Sequence, residues 1–127
     1  MRVVRRQESN MPEWPAEIRS LTSNELTDVV ESSQLVGIHC WANWNAHDYE
    51  FAQRLTQIIE RFPDLALFAM DIENQSNIPL MADWHILNVP AFVIFRGGSR
   101  LSTLWMQGES VAEFQARIET AIIETVG

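Results

Sequence analysis

Residues 41–48 read WANWNAHD, and this stretch places a histidine and a carboxylate, His47 and Asp48, side by side. Such a pair can act as general acid and base, or can bind a metal ion such as zinc. The other two histidines of the chain are His39 and His85. Because no ligand spacing such as HExxH or paired CxxC accompanies these residues, we expect no metal site.

The same residues also have a purely structural interpretation. Asn45 is of the type that caps helix N-termini, and Asp48 would stand at the third helical position, where a carboxylate can accept backbone N–H groups. On this interpretation the two residues only start a helix. The alternative is an acid–base site, and the local sequence leaves both open.

Cys40 is the single cysteine, so the chain cannot form an intramolecular disulfide. It lies in the apolar run LVGIHCW at 35–41, which is typical of a buried strand. In such a strand a cysteine behaves as a small hydrophobe whose pKa is raised by burial. Redox chemistry at Cys40 would require an exposure that this pattern does not suggest. A lone cysteine also fits a reducing compartment, and we expect the cytoplasm.

Composition narrows the possible partners. A chain of 127 residues with 46% hydrophobic and 20% charged residues forms one domain, and no apolar run approaches the roughly 20 residues that span a bilayer. The formal net charge is −8, which argues against binding to nucleic acid or an anionic membrane. The basic residues are all arginines, so lysine Schiff-base chemistry is excluded.

The N-terminal segment differs from the rest of the chain in the periodicity of its apolar residues. Residues 1–16 lack periodicity and contain two prolines, so we expect a mobile N-terminal arm. The start MRVVRR is not followed by an apolar stretch, so we predict no secretory signal. Residues 17–127 carry periodic apolar patterns, and we expect them to form the folded domain.

The first half of this domain predicts a short strand, a helix, a buried strand and a long helix. Thr22 and Glu25 have the capping-box spacing of a helix start. After the strand at 35–41, apolar residues recur at helical spacing from Phe51 to Phe62, until Pro63 ends the pattern.

The second half continues the alternation. LALFAMDI is a second buried strand, and a short helix is predicted over 77–84. AFVIF, RGGS and RLSTLW form a hairpin, and Ser110 with Glu113 starts a terminal helix. This order requires a mixed sheet with helices on both faces.

In the order of these elements and the spacing of its motifs, the sequence resembles thioredoxins over about residues 18–125. The segments LVGIHCWANWNAHDYEF, FAMDIEN, WHILNVPAFVIFRGG and MQGESVAEF follow one another with that family's spacing. The resemblance implies an α/β thioredoxin fold, a three-layer sandwich in which helices flank a central mixed β-sheet.

The reactive residues of the family do not accompany this resemblance. Its two cysteines fall here on Asn45 and Asp48, its buried acid on His39 and its lysine on Ala69. Thiol–disulfide exchange needs an attacking thiolate and a resolving thiol. The resemblance therefore implies the scaffold without dithiol–disulfide oxidoreductase activity, and no cofactor.

Two parts of the family's binding surface remain, Trp44 and the Val89-Pro90 step, whose peptide bond is cis in the family. The resemblance implies a groove there for a protein or an extended peptide. We therefore predict a redox-inactive binding, adapter or chaperone-like module. Its predicted contact residues are Trp41, Trp44, Asn45, Ala46, His47, Val89 and Pro90.

Two alternatives to this groove stay open. Trp44 can be an ordinary half-exposed loop aromatic, since single apolar residues are common on protein surfaces. The chain can also be a thioredoxin-related enzyme of different chemistry, with His47 and Asp48 as a metal or acid–base site, or with Cys40 as a single redox cysteine.

The family's geometry places position 39 beneath position 48, so we expect a structural pair between His39 and Asp48. A charged imidazole and a carboxylate would then join the strand to the helix in place of the disulfide. The competing outcome is a neutral His39 in the core, with Asp48 serving only the helix start.

Overall fold

The computed structural model of the chain describes residues 18–126, so the predicted arm at 1–16 lies outside the described residues. Within these residues, five strands and four helices follow one another. They are β1 (Arg19–Ser20), α1 (Ser23–Ser32), β2 (Leu35–Trp41), α2 (Ala46–Arg61), β3 (Ala66–Asp71), α3 (Ile78–Asp83), β4 (Ala91–Arg96), β5 (Ser99–Trp105) and α4 (Val111–Val126). The order is the predicted one.

The strands form one mixed sheet in the order β1-β3-β2-β4-β5. Strands β1, β2 and β3 are parallel, β4 is antiparallel to β2, and β5 is antiparallel to β4. Helices cover both faces of the sheet, which confirms the predicted three-layer α/β architecture. Among residues 18–126, no helix combines the length and the apolar character that crossing a membrane requires.

Each face of the sheet has its own apolar core. On one face, α2 and α4 pack on inward side chains of β2, β3 and β4. The other face is covered by α1 and α3, whose buried residues meet a second set of strand side chains. Because both faces are buried, β2 is apolar nearly throughout, as expected for a central strand.

Helix α2 begins just after the central strand β2 and presents a buried stripe to the first core. Its buried residues are Asp48, Tyr49, Phe51, Ala52, Leu55 and Ile58. Most of these recur at intervals of three and four, which is the spacing of one face of a helix. Phe62 closes the helix, its N–H donating to the carbonyl of Ile58 at 2.9 Å, and Pro63 prevents continuation.

Both predicted capping boxes are present. Glu25 Oε1 accepts a hydrogen bond from the backbone N–H of Thr22 at 3.0 Å. At the start of α4, Ser110 and Glu113 exchange two hydrogen bonds, from Ser110 N to Glu113 Oε1 at 3.0 Å and from Glu113 N to Ser110 Oγ at 3.1 Å. These contacts satisfy N–H groups that a helix start would otherwise leave unpaired.

Asn77 fixes the segment that follows β3. Its side chain is fully buried, and its Oδ1 accepts a hydrogen bond from Ser23 N at 2.8 Å. The Nδ2 donates to the carbonyl oxygens of Asp71 at 3.0 Å and Leu21 at 3.4 Å. The end of β3, the start of α1 and the start of α3 are thereby held together.

Candidate functional site

The candidate site lies at one edge of the sheet, where three central strands end or begin. Trp41 at the end of β2 is paired with Asp71 at the end of β3, and Cys40 is paired with Ala91 at the start of β4. The turn before α2, the segment after β3 and the loop before β4 therefore meet at this edge. Such an edge, beyond the carboxyl ends of parallel strands, is where open α/β sheets commonly bind ligands.

Beneath the turn, the predicted contact between His39 and Asp48 is present. His39 Nε2 and Asp48 Oδ1 are 2.8 Å apart, and both side chains are completely buried. The other carboxylate oxygen, Asp48 Oδ2, accepts hydrogen bonds from Ala42 N at 3.0 Å and from Asn45 Nδ2 at 2.9 Å. Asp48 thus joins the strand, the turn and the helix, which meets the requirement that a buried carboxylate be hydrogen-bonded.

Asn45 occupies the N-cap position of α2, but its side chain makes no capping hydrogen bond, so that part of the structural interpretation was wrong. Its Nδ2 instead donates to Asp48 Oδ2 and, at 3.0 Å, to the backbone oxygen of Val89. The side-chain amide has two N–H donors, and two strong acceptors lie within reach. Asn45 therefore ties the turn to the loop before β4.

His47 and Asp48, adjacent in sequence, point to different environments. The side chain of His47 is exposed, whereas that of Asp48 is buried among the three donors just described. His85 is also exposed. Within residues 18–126, no three or more His, Cys, Asp and Glu side chains are grouped so as to hold a metal ion. The geometry gives no support to an acid–base site built from His47 and Asp48.

Cys40 is completely buried in β2, as the apolar run predicted. Burial raises the pKa of the thiol well above its usual range, and the nearby Asp48 carboxylate raises that pKa further. Both effects disfavour the thiolate, which is the nucleophilic form of cysteine. The chain thus has one thiol, and its environment is the reverse of a reactive cysteine's.

We expect Cys40 to react with a disulfide reagent such as DTNB only when the domain opens. With an ordinary folding stability of about 5–15 kcal/mol, reaction at pH 8 should be roughly a thousandfold or more slower in the folded protein than in the unfolded chain. The measurement compares the rate of thiol modification in buffer with that in strong denaturant, where one thiol per chain should react. Complete modification within minutes in buffer would contradict the burial argument.

An open apolar pocket of about 190 Å³ lies next to the Val89-Pro90 peptide bond, which is cis. Trp44 and Leu87 are 64% and 76% exposed, unusually high for large apolar side chains at one site. The pocket is lined by Trp44, Ile72, Ile86, Leu87, Asn88 and Val89.

Two hydrogen bonds hold the pocket walls in place. The indole Nε1 of Trp44 donates to Glu73 Oε2 at 2.9 Å, which orients the ring against the segment after β3. On the other side, Asn88 Nδ2 donates to the carbonyl of Met106 at 2.9 Å. Two of the lining residues, Trp44 and Asn88, thus have defined hydrogen-bond partners.

The predicted contact residues differ in their positions relative to the pocket. Trp44 and Val89 line the pocket, whereas Asn45 acts from behind it by holding the Val89 carbonyl. Val89 and Pro90 are buried. The lining does not include Trp41, Ala46, His47 or Pro90.

Sequence reasoning missed most of the pocket, namely Ile72, Ile86, Leu87 and Asn88. One signal was available, because two consecutive apolar residues, Ile86 and Leu87, stand between a short helix and the Val-Pro step. Ile86 packs partly against the second core, but Leu87 remains exposed, and exposed apolar residues next to a pocket can mark a binding surface.

Comparison with known proteins places this geometry in context. Residues 17–120 match the family model described as Thioredoxin. Among curated proteins, the search found no match. Mitochondrial thioredoxin 3 from Saccharomyces cerevisiae, in its oxidized form, superposes with a TM-score of 0.67 at 18% identity, over 81% of this chain and 94% of that one.

Two further structures are similar. Chlamydomonas reinhardtii thioredoxin f2 has a TM-score of 0.67 at 18% identity, over 82% of this chain and 95% of its own. A designed protein reaches 0.71 at 20% identity, over 87% and 98%. At these identities the structural likeness speaks to the fold alone.

Proposed function

Because the chain belongs to the thioredoxin family but carries Asn45 and Asp48 at the positions of that family's cysteines, we propose that it is a redox-inactive binding module. It acts as an adapter or chaperone-like protein, and its ligand is a protein or an extended peptide. The contact surface is the groove beside the Val89-Pro90 loop. The protein needs no cofactor for this role, and its single buried cysteine suits a reducing compartment such as the cytoplasm.

The observation that carries this proposal is the apolar pocket between two exposed side chains, Trp44 and Leu87. Leaving a large apolar side chain in water forgoes about 1.5–3 kcal/mol that its burial would contribute. An aromatic anchor beside a preformed pocket is the usual composition of a binding hot spot. Two such side chains lining one groove therefore support a ligand-binding role.

The contacts below the groove argue against exchange chemistry at this place. Asn45 and Asp48 are hydrogen-bonded to each other, and Asp48 is also bonded to His39. No thiol stands at either position, and Cys40 is buried with its pKa raised. Without an accessible thiolate, disulfide exchange cannot begin. Hydrogen bonds instead join the turn to β2, to α2 and to the loop beside the groove.

Asn45 also affects how a ligand can bind. The backbone oxygen of Val89, a group that an added peptide strand could use, already accepts a hydrogen bond from Asn45 Nδ2. A carbonyl has a second lone pair, but this one is partly satisfied. Side-chain contacts in the pocket should therefore contribute more to selectivity here than backbone pairing does.

The test is a pair of truncations in the lining of the groove. The tightest ligand from a library of extended ten-residue peptides should lose about tenfold to thirtyfold in affinity with Trp44→Ala or with Leu87→Ala, as expected for an anchor worth roughly 2 kcal/mol. Affinities can be measured by fluorescence anisotropy. Leu101→Ala is the matched control. Leu101 is likewise a large exposed apolar residue, with 54% of its surface exposed, but it lies on β5 outside the pocket.

Leu101→Ala should leave the affinity unchanged within about twofold, since surface truncations away from an interface have little effect. Equal losses for all three variants would show nonspecific apolar binding. Undiminished affinity in both Trp44→Ala and Leu87→Ala would place the contact surface elsewhere. Either result would refute the proposed groove.

A further inference from the structure

We propose that the ligand of this groove is an extended segment in which an apolar side chain is flanked by arginine or lysine residues. This inference rests on the proposed function and specifies the partner's chemistry. The apolar side chain is inferred from the apolar pocket. The pocket volume of about 190 Å³ is several times the roughly 30 Å³ that one water molecule occupies in the liquid. The basic part follows from the charges around the pocket.

The rim of the pocket is acidic. Glu73 is exposed, and its carboxylate is fixed beside the pocket by the 2.9 Å hydrogen bond from Trp44. Asp71 lies next to it, with Asp71 Oδ1 accepting the backbone N–H of Glu73 at 2.9 Å.

Glu73 is the rim residue best placed to bind a cation. An ionised carboxylate offers about four acceptor positions, so the single bond from Trp44 leaves capacity for an arginine or lysine. The same bond keeps the charge at the edge of an apolar surface. A ligand residue next to the one that fills the pocket would reach it.

The arginines of the described chain lie elsewhere. Arg96 and Arg100 flank the β4–β5 turn at the opposite edge of the sheet, and Arg61 is the last residue of α2, a helix of 16 residues that starts at the site. A helix of that length spans about 24 Å. None of the pocket-lining residues is basic.

The remaining arginines of residues 18–126 have their own partners. Arg19 is paired with Glu25 at 2.6 Å, and Arg54 donates to Gln115 at 3.1 Å. Arg117 is held by Glu109 at 2.7 Å. Among residues 18–126, no arginine is therefore paired with Glu73 or Asp71, and the formal net charge of the full chain is −8.

This charge distribution selects among extended ligands. A cleft bordered by one sign of charge concentrates ligands of the opposite sign and repels those of the same sign. An apolar segment with acidic flanks would be repelled by the carboxylates of Glu73 and Asp71. A segment with basic flanks would be attracted by the same carboxylates.

The experiment uses three synthetic peptides with the same central pair of leucines. Two arginines, two glutamines or two glutamates flank the leucines on each side, and each peptide carries a fluorescent label for anisotropy with the full chain. At about 50 mM salt the arginine peptide should bind about tenfold more tightly than the glutamine peptide, and the glutamate peptide most weakly. The advantage should shrink several-fold at 500 mM salt.

Glu73→Gln removes the rim charge but keeps an oxygen that can accept the Trp44 hydrogen bond. It should weaken the arginine peptide about threefold to fivefold and leave the glutamine peptide unchanged. The matched control is Glu31→Gln, an equal change of charge at an exposed position in the last turn of α1, remote from the groove. It should alter neither affinity by more than about 1.5-fold.

The outcomes separate this inference from the function on which it rests. Equal affinities for the three peptides, all lowered by Trp44→Ala, would overturn the basic-flank inference and leave the groove in place. An arginine preference that Glu31→Gln reduces as much as Glu73→Gln would also overturn it, since nonspecific attraction by net charge would explain the preference. Absence of Trp44-dependent binding by any peptide would refute the proposed groove itself.

Discussion

Replacing Asp48 with alanine is expected to lower the free energy of unfolding by about 3–5 kcal/mol, because it removes the acceptor of several buried hydrogen bonds at once. The carboxylate is fully buried and accepts hydrogen bonds from His39, from the Ala42 N–H and from the Asn45 amide. Its removal would take this acceptor away from the buried His39 ring and the Ala42 N–H, whereas the part-buried Asn45 amide would keep the Val89 carbonyl. Each buried donor that loses its acceptor costs about 1–3 kcal/mol.

The measurement is urea denaturation followed by circular dichroism, at pH 7 and constant salt. Asp28→Ala is the control, since Asp28 is an exposed aspartate in α1, and its truncation should change stability by less than about 0.5 kcal/mol. A loss below roughly 1.5 kcal/mol for Asp48→Ala would mean that the buried contacts contribute little.

A double-mutant cycle assigns part of this loss to the histidine. His39→Leu and Asp48→Asn, alone and combined at about pH 6, should show a coupling above roughly 0.5 kcal/mol, because the two side chains touch at 2.8 Å. Additive effects would indicate that His39 is a packed core residue and that Asp48 acts mainly through Ala42 and Asn45.

The fold was predictable because its signals are local and agree with one another. The apolar runs over β2 and β3, the helical spacing in α2 and the two capping boxes each indicated one element, and their order left few topologies. Among the strands, β1 differs most from the length that its apolar pattern predicted. It has two residues and pairs with β3 alone.

Part of the environment of Asp48 could be predicted from the sequence. Counting back from Ile58, the buried stripe of α2 passes through Leu55, Phe51 and Asp48, so spacing alone places this carboxylate on the core face. An acid at that position needs buried donors, and the resemblance suggested one of them, His39. The bond from Asn45 to Val89 joins residues that are 44 positions apart, and no local pattern can show it.

The pocket and its charge depend on topology. The sequence gives a net charge of −8 but not its distribution. Asp71 and Glu73 come to the site edge because β3 ends there, and Arg96 is carried to the other edge because β4 is antiparallel. Exposure of Leu87 likewise depends on how its loop returns to the sheet, which single-residue hydrophobicity does not determine.

Phe51→Ala is the second change with a large expected effect, a loss of about 3–5 kcal/mol in the free energy of unfolding. The ring is completely buried, one helical turn after Asp48. It makes edge contacts with His39, at 4.8 Å between ring centroids, and with Phe92 at 6.3 Å, and it lies 5.3 Å from Phe114. Its removal would open a cavity where the core meets the buried pair.

The same denaturation experiment tests this change, with Phe51→Leu as the matched variant that keeps most of the apolar volume. Phe51→Leu should cost only about 1–2 kcal/mol, since the residual cavity is smaller. A loss as large as that of alanine would point to the ring's aromatic contacts as the main contribution, and a loss under about 1.5 kcal/mol for Phe51→Ala would contradict the packing argument.

Phe51 should also be coupled to the polar pair, because its ring packs against the imidazole and excludes water from that side of His39. A hydrogen bond to an ionised group is stronger in a medium of low dielectric constant, so admitting water weakens the contact between His39 and Asp48. Phe51→Ala should therefore cost at least about 0.5 kcal/mol less in an Asp48→Asn background than in the native sequence. Equal losses in the two backgrounds would show that the apolar core and the buried pair stabilise the domain independently.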